Sequence, residues 1–175
     1  EMCIRDRDNI LNSVENMKAV PGRFEENGNF NNNSIAILDY AHTPAALESA
    51  LSNLKEQFPF NKINLIFGCG GDRDFKKRSL MGKIADKYSN EIYLTDDNPR
   101  NEKPFEIRNE IKKGIKNKRI LEITDRKKAI QEAVKNLKTG DILLVAGKWH
   151  EKTQYYWKKR IFFSDQKVIL NSIRA

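Results

Sequence analysis

The chain has 175 residues, which is enough for one domain with a hydrophobic core but too few for two of ordinary size. Hydrophobic residues make up 39% of it and charged residues 32%, and no apolar stretch is longer than a strand, which excludes a membrane-spanning helix. The 32 basic and 24 acidic residues give a net charge of +8. The basic residues are spread over predicted helices without interleaved aromatic residues, so we expect solvated helix faces and no nucleic-acid partner.

Short β-rich runs alternate with segments of helical spacing along the chain. The predicted strands are 34–41, 62–67, 91–94, 119–123 and 141–145. The predicted helices are 44–58, 76–88, 104–115, 125–137 and a last one that begins near Ser164 or Asp165. Pro104 suits the first turn of its helix and Asp125 suits an N-cap.

This alternation predicts βαβ units and an α/β fold, a Rossmann-like and mostly parallel sheet of about six strands flanked by helices. Because crossover connections are right-handed, the strand-to-helix loops should all lie at one edge of the sheet. Ligands of open α/β sheets bind at that carboxyl edge. Four loops there carry polar or glycine-rich sequences that no packing argument requires: 39–44, 68–74, 95–100 and 147–151.

The loop at 95–100 reads T-D-D-N-P-R directly after an apolar strand. Pro99 restricts the turn, so Asn98 and Arg100 should be held in place. An arginine there suits a planar carboxylate, which it can bind through two parallel hydrogen bonds. The alternative is a charged turn in which Asp97 caps the next helix.

The loop at 68–74 contains three glycines, which would allow a ligand to approach the backbone closely, and Arg73 offers a second cation. Within this loop Cys69 is expected to be a small buried thiol rather than a nucleophile. With only one other cysteine in the chain, Cys3, there is no disulfide framework. Together with the lack of a visible secretory leader, this favours a cytoplasmic protein.

Two histidines, His42 and His150, follow predicted strands. They lack the ligand spacing of a structural metal site, so we expect none. Asp39 and His42 are better placed to orient a nucleotide phosphate or its Mg²⁺.

Five motifs in a fixed order make the sequence similar to a known family, the Mur ligases. The resemblance is to their carboxy-terminal domain and covers about residues 11–175, and F-F-S-D-Q-K at 162–167 resembles the family's closing motif. It is greatest for the members that add diaminopimelate as the third residue of the peptidoglycan precursor. The five motifs are V-P-G-R-F-E (20–25), D-Y-A-H-T-P (39–44), F-G-C-G-G-D-R-D (67–74), T-D-D-N-P-R (95–100) and A-G-K-W-H-E (146–151).

The resemblance implies an ATP-dependent amide ligase with ATP and Mg²⁺ as cofactors. Its partner substrates would be UDP-N-acetylmuramoyl-L-alanyl-D-glutamate and diaminopimelate, joined through an acyl phosphate. By position in the motifs, the residues implied to contact diaminopimelate are Arg73, Asn98, Arg100, Gly147 and Glu151. Those implied to face the nucleotide are Arg23, Asp39 and His42.

The resemblance also implies a domain organisation. Residues 22–175 match the carboxy-terminal domain, whereas 1–21 resemble a non-native head followed by a linker helix. The chain contains no G-x-x-x-x-G-K-[ST] loop, so the amino-terminal and central ATP-binding domains are expected to lie outside it. We therefore expect no catalytic residue here and no ligase activity from this chain alone.

The chemistry of the substrate agrees with this assignment. Diaminopimelate has a carboxylate and an ammonium at each end, so Arg100 and Arg73 suit its distal carboxylate and Glu151 its ammonium. Lysine has no distal carboxylate and would leave an arginine unpaired at a cost, which favours diaminopimelate. One departure from the family motif is Trp149, which replaces a glycine.

Three alternatives remain open from the sequence. A sister Mur-type ligase could add lysine or act on another acidic acceptor, although Arg100 argues against this. In a non-catalytic nucleotide-binding Rossmann-like module, Arg100 and Glu151 would have no function. A basic nucleic-acid-binding module would show steeply salt-dependent binding.

Overall fold

The computed structural model describes residues 25–148 and 151–173, and the predicted head and linker at 1–21 lie outside this part. No described helix is long and apolar enough to cross a bilayer. The strands are β1 (Glu25–Asn29), β2 (Ile35–Asp39), β3 (Ile63–Phe67), β4 (Glu91–Leu94), β5 (Arg119–Glu122), β6 (Ile142–Ala146), β7 (Thr153–Tyr156) and β8 (Lys159–Phe162). The helices are α1 (Pro44–Gln57), α2 (Lys76–Tyr88), α3 (Pro104–Lys112), α4 (Arg126–Lys135) and α5 (Asp165–Ile173).

The main sheet has six strands in the order β1-β2-β6-β3-β4-β5. Five of them are parallel, and β1 pairs with β2 in the antiparallel sense at the edge. This confirms the predicted α/β fold with a mostly parallel sheet. The carboxyl ends of β2, β6, β3 and β4 are therefore neighbours, and the four loops that follow them meet at one edge.

Both faces of the sheet are covered, which explains why its central strands read as continuous apolar runs. Alternate residues of β6 point to opposite faces. Ile142 and Leu144 pack in a core with residues of α1, α2 and α3, whereas Leu143 and Val145 pack in a second core with residues of α4 and α5. The sheet is thus fixed from both sides and provides a rigid support for its loops.

Two of the predicted helix starts are confirmed by side-chain N-caps. Thr43 accepts a hydrogen bond from the Ala46 amide at 3.3 Å, and Asp125 accepts one from the Lys128 amide at 3.1 Å. The predicted helix 104–115 ends earlier, at Lys112, because the chain then tightens into turns closed by hydrogen bonds such as that from the Gly114 amide to the Ile111 carbonyl.

The sequence analysis missed β1 and the antiparallel hairpin formed by β7 and β8, hereafter the hairpin. Strand β1 has the sequence E-E-N-G-N, which carries no β-branched or aromatic residue. The hairpin turns at Trp157 and Lys158 without the glycine or asparagine that usually marks such a turn. Its strands lie outside the main sheet, but they contact the loop at 95–100 and so contribute to the site.

Candidate amino-acid-binding site

The loops at the carboxyl edge of the sheet enclose a cavity of about 620 Å³, hereafter the cavity. It is lined by residues of all four loops singled out from the sequence. A smaller cleft of about 320 Å³ adjoins it and shares part of its wall. The predicted site residues that line the cavity are His42, Arg73, Asn98, Arg100, Gly147 and Glu151.

The loop 95–100, hereafter the DNPR loop, is held in place by the hairpin. The side-chain amide Nε2 of Gln154 donates to the backbone carbonyl oxygens of Asp96 and Asp97 at 3.1 and 2.6 Å. The Tyr155 carbonyl accepts from the Arg100 amide at 3.1 Å, and the Trp157 amide donates to the Arg100 carbonyl at 2.7 Å. The loop is therefore more than a charged turn, because a separate element fixes its backbone.

The first carboxylate of the DNPR loop has a structural role. Asp96 pairs with Arg108 of α3 and accepts a hydrogen bond from the Tyr156 hydroxyl at 3.1 Å. Burial raises the pKa of Asp96, and the charge of Arg108 opposes this shift. Through these two partners Asp96 stabilises the DNPR loop, and it does not line the cavity.

The glycines of the loop 68–74 serve the packing of two loops against each other. A β-carbon on Gly68 would lie 2.3 Å from the Thr95 carbonyl oxygen, and one on Gly71 would lie 1.9 Å from that of Pro99. A β-carbon on Gly70 would lie 2.8 Å from Nη1 of Arg100. These glycines therefore allow the DNPR loop to approach closely, and Gly68 and Gly70 also line the cavity, so the expectation that they admit a ligand stays a prediction.

Arg100 combines an unusual backbone with a side chain that is only partly used. Its φ is +50°, a left-handed conformation that a bulky residue adopts at a cost and that the bonds to the hairpin maintain. Nη1 donates to the Gly71 carbonyl at 2.7 Å. In the described part of the chain, Nε and Nη2 have no acceptor, so one edge of the guanidinium remains for a planar anion.

Asn98 and Glu151, which line the cavity, form one hydrogen-bonded group with Lys148, which is buried behind them and does not line it. The Asn98 amide Nδ2 donates to Glu151 Oε2 at 2.7 Å. The Asn98 carbonyl Oδ1 accepts from Lys148 Nζ at 2.9 Å and from the Tyr155 amide at 3.0 Å. Lys148 also lies 3.3 Å from Glu151 Oε2 and 3.4 Å from Asp97 Oδ1. Lys148 belongs to the motif at 146–151, but no role was predicted for it from the sequence.

The two arginines of the 68–78 segment differ in their surroundings. Arg73 is exposed at the mouth of the cavity and has no ion-pair partner among the residues that the structure describes. Arg78 is 1% exposed and donates to Glu102, Glu110 and the Gly70 carbonyl. Burial alone would lower the pKa of Arg78, but the bonds to the two glutamates outweigh it and raise the pKa. Arg78 therefore supports the loop that presents Arg73.

Two of the residues expected to face a nucleotide, Asp39 and His42, lie at the carboxyl end of β2, and His42 lines the cavity. The ring centroids of His42 and Tyr40 lie 4.3 Å apart with the ring planes tilted by 49°, and the His42 backbone carbonyl accepts from Lys77 Nζ at 2.8 Å. Asp39 does not line the cavity, and its carboxylate accepts from the Ala41 backbone amide at 2.8 Å. Arg23 and His150 fall outside the described residues.

Cys69 and the acidic side chains offer no further chemistry of their own. The thiol is buried as expected, and burial raises its pKa to about 12, which suppresses the nucleophilic thiolate. Across 25–148 and 151–173, no three His, Cys, Asp or Glu side chains are grouped as a metal site.

Comparison with known proteins agrees with the motifs. The family model described as "Mur ligase, glutamate ligase domain" matches residues 22–149. The chain belongs to the Mur ligase family.

Two similar relatives of this Mur ligase chain have the same name. The UDP-N-acetylmuramoyl-L-alanyl-D-glutamate–2,6-diaminopimelate ligase of Rickettsia rickettsii is 47% identical over 169 residues, which cover 96% of this chain and 34% of the relative. The ligase of the same name from Alkaliphilus oremlandii is 44% identical and is covered to 34% by 95% of this chain. The chain thus spans about a third of the length of these curated relatives.

A solved structure of a ligase with that name has a TM-score of 0.82 and 38% identity, over 91% of this chain and 32% of its own length. A folylpolyglutamate synthase from Thermotoga maritima, with a TM-score of 0.56 and 26% identity, covers 74% of this chain. The Mur ligase domain therefore shares its fold with part of a protein that has a different name, since the match covers 28% of that synthase.

The charged groups that line the cavity of this Mur ligase domain are of both signs, as a zwitterionic ligand would require. Arg100 offers a free guanidinium edge and Arg73 an unpaired cation, both suited to a carboxylate. Glu151 uses Oε2 for Asn98 and Lys148, and Oε1 has no hydrogen-bond donor among the described residues, so it is available to accept from an ammonium. Side chains of opposite charge thus line the same cavity.

Proposed function

We propose that this chain is the amino-acid-binding domain of an ATP-dependent amide ligase. The ligase would add meso-diaminopimelate to UDP-N-acetylmuramoyl-L-alanyl-D-glutamate in peptidoglycan precursor synthesis, in the cytoplasm. One observation carries the proposal: Arg100, with an unpaired guanidinium edge, and Glu151, with an unpaired Oε1, line one cavity together with Asn98. The names of the most similar relatives support the same substrate.

Diaminopimelate fits these groups better than lysine does. When one of its ends reacts, the other still carries a carboxylate and an ammonium on the same carbon. Arg100, with help from Arg73, would bind that distal carboxylate, and Glu151 would bind the ammonium. Lysine would bring an ammonium alone and leave the Arg100 edge without a partner, which costs binding energy. Gly147, with φ of +107°, would let the backbone pass close to the ligand.

The nucleotide would lie between this domain and an ATP-binding domain outside this chain. ATP would transfer its γ-phosphoryl group, with Mg²⁺, to the side-chain carboxylate of D-glutamate and leave as ADP. The amine of diaminopimelate would then attack the acyl phosphate and release phosphate. We assign Arg23, Asp39 and His42 to the nucleotide side of this arrangement, and residues 22–175 to the domain as a whole.

The test is ligation by a complete enzyme. The chain can be joined to the preceding two-thirds of the Rickettsia rickettsii relative, and amide formation measured with meso-diaminopimelate or L-lysine as the amine. The proposal expects ATP-dependent ligation of diaminopimelate and much weaker ligation of lysine. Equal use of lysine would instead indicate the sister ligase. Absence of ligation, in a hybrid that is folded and binds ATP, would contradict the proposal.

A further inference from the structure

Lys148 is the most deeply buried ammonium group near the cavity, yet it does not line the cavity. The residue is 1% exposed. An ammonium has three hydrogens to donate, and three acceptors surround Nζ. They are Asn98 Oδ1 at 2.9 Å, Glu151 Oε2 at 3.3 Å and Asp97 Oδ1 at 3.4 Å. All three hydrogens are therefore used within the protein, and Lys148 has none left for a ligand.

These contacts decide which way the Asn98 amide faces. Lys148 Nζ and the Tyr155 amide both donate to the same atom of Asn98, and only the carbonyl oxygen can accept them. The NH₂ group must then point away from Lys148. One of its hydrogens goes to Glu151, and the other has no acceptor among the described residues. Asn98 thus offers the cavity a donor and not an acceptor.

The same ammonium balances the charge of two carboxylates. Asp97 is 8% exposed, and Glu151 is partly buried against Lys148. Without the cation, the two like charges would share a poorly solvated site, and the Asn98 amide could reverse to place its oxygen beside the ligand carboxylate. Lys148 therefore keeps the donor of Asn98 next to the acceptor of Glu151.

We propose that Lys148 is a positioning residue that fixes the Asn98–Glu151 pair in the polarity that recognises the amino-acid end of the substrate, a carboxylate and an ammonium on one carbon. The inference rests on the proposed function and adds to it a residue that touches no substrate. It predicts that Lys148 acts on diaminopimelate through Asn98, and that its effect disappears when Asn98 is already lost.

The first experiment is a titration of the ¹⁵N-labelled chain with meso-diaminopimelate, followed by NMR. Lys148→Met keeps the length of the side chain and removes its charge and hydrogen bonds. We expect it to weaken binding about tenfold or more. Lys152→Met is the matched control, since Lys152 is exposed and its side chain has no partner among the described residues, and it should bind as the unmodified chain does.

The second experiment separates positioning from stability by a double-mutant cycle with Asn98→Ala. If Lys148 acts through Asn98, the double variant should bind diaminopimelate about as weakly as Asn98→Ala alone. A role in folding only would give effects that multiply. Should Lys148→Met fail to fold, Lys148→Gln keeps a neutral donor at the position, and the same cycle applies to it.

The outcomes distinguish the inference from the function on which it rests. If the unmodified chain binds diaminopimelate and the folded Lys148 variants bind it equally well, the inference is overturned and the proposed function stands. Multiplicative effects in the cycle overturn it as well. If the unmodified chain does not bind diaminopimelate at millimolar concentration, the proposed function fails and the inference fails with it.

Discussion

Nη1 of Arg100 donates a hydrogen bond of 2.7 Å to the carbonyl oxygen of Gly71, which ties the DNPR loop to the glycine-rich loop after β3. The Gly71 backbone amide in turn donates to the backbone carbonyl oxygen of Asn98 at 2.8 Å. The two loops therefore hold each other, and the guanidinium is turned so that its Nε–Nη2 edge is left over. A carboxylate that binds there meets an arginine whose orientation is already fixed, which reduces the entropy lost on binding.

Two neighbouring glycines allow this relationship to be tested, because an added methyl group meets different atoms at each. At Gly71 a β-carbon would lie 1.9 Å from the Pro99 carbonyl oxygen, which is backbone and cannot move aside easily. We expect Gly71→Ala to lower the free energy of unfolding by about 3 kcal/mol. At Gly70 the β-carbon would lie 2.8 Å from Arg100 Nη1, the end of a flexible side chain. We expect Gly70→Ala to cost less than about 1 kcal/mol.

Gly70→Ala, the variant that costs less stability, should nevertheless weaken ligand binding. Gly70→Ala displaces the guanidinium, so it should weaken the binding of diaminopimelate while the domain stays folded. Urea denaturation gives the stability and NMR titration the affinity of each variant. Equal stability of the two variants would contradict the close packing of the loops, and unchanged affinity in Gly70→Ala would contradict the role of Arg100.

Most of the fold could be predicted from the sequence, because the parallel strands and their helices carry strong periodic signals. Strand β4 has its predicted bounds of Glu91 and Leu94, and Asp125 caps α4 as expected. The elements that were missed are those whose pairing depends on tertiary contacts. In the hairpin, Gln154 and Tyr155 are held by the DNPR loop, and no local turn signal marks the reversal at Trp157.

The residues of the candidate site could be predicted from the sequence, but the hydrogen bonds between them could not. Fold topology brings loops together at one edge, and for this reason the cavity contains Arg73, Asn98, Arg100 and Glu151 as anticipated. A sequence motif does not show which atoms form hydrogen bonds, because that depends on distances in the folded chain. For this reason no role was predicted for Lys148. The roles of all these residues as ligands for a substrate stay predictions.

Trp157 provides a test of the strained turn of the hairpin. Its φ is +51°, and its side chain is 66% exposed, so little apolar burial offsets the strain. Trp157→Gly should raise the free energy of unfolding by about 0.5–1 kcal/mol, since glycine adopts this conformation without a steric penalty. Lys158→Gly, next to it in the turn, should be neutral or destabilising because Lys158 has no positive φ. Urea denaturation of both variants checks the difference.

Glu102 should make the stability of the domain depend on pH in the acid range. The hydrogen bond from Arg78 lowers the pKa of Glu102 below its ordinary value of 4.5, and burial opposes this shift. Because the pKa is lower in the folded state, the stabilisation is fully present above about pH 4.5 and is lost as the pH falls through the folded-state pKa. Glu102→Gln should therefore be less stable than the unmodified chain at about pH 7, and the gap should narrow at about pH 3.

The control for this prediction is Glu106→Gln, which changes an exposed glutamate of α3 whose only ion pair among the described residues is an exposed one with Lys103. Its stability should follow that of the unmodified chain across the range. Denaturant midpoints at several pH values measure both variants. A gap for Glu102→Gln that stays constant down to about pH 3 would show that the Arg78 bond does not depend on the charge of Glu102.

The last prediction concerns the specificity that Arg100 would confer in the complete ligase. Removing one partner of a buried, charged, bidentate hydrogen bond costs about 2–4 kcal/mol, so Arg100→Ala should lower kcat/KM for diaminopimelate by about one and a half to three orders of magnitude. Arg100→Lys should restore only part of this, since an ammonium lacks the planar pair of donors. The KM values for ATP and for the nucleotide substrate should change little. Lysine should be a poor substrate at first and be discriminated against less in Arg100→Ala. Steady-state kinetics with both amines measures this, and an unchanged preference for diaminopimelate would mean that its distal carboxylate binds elsewhere.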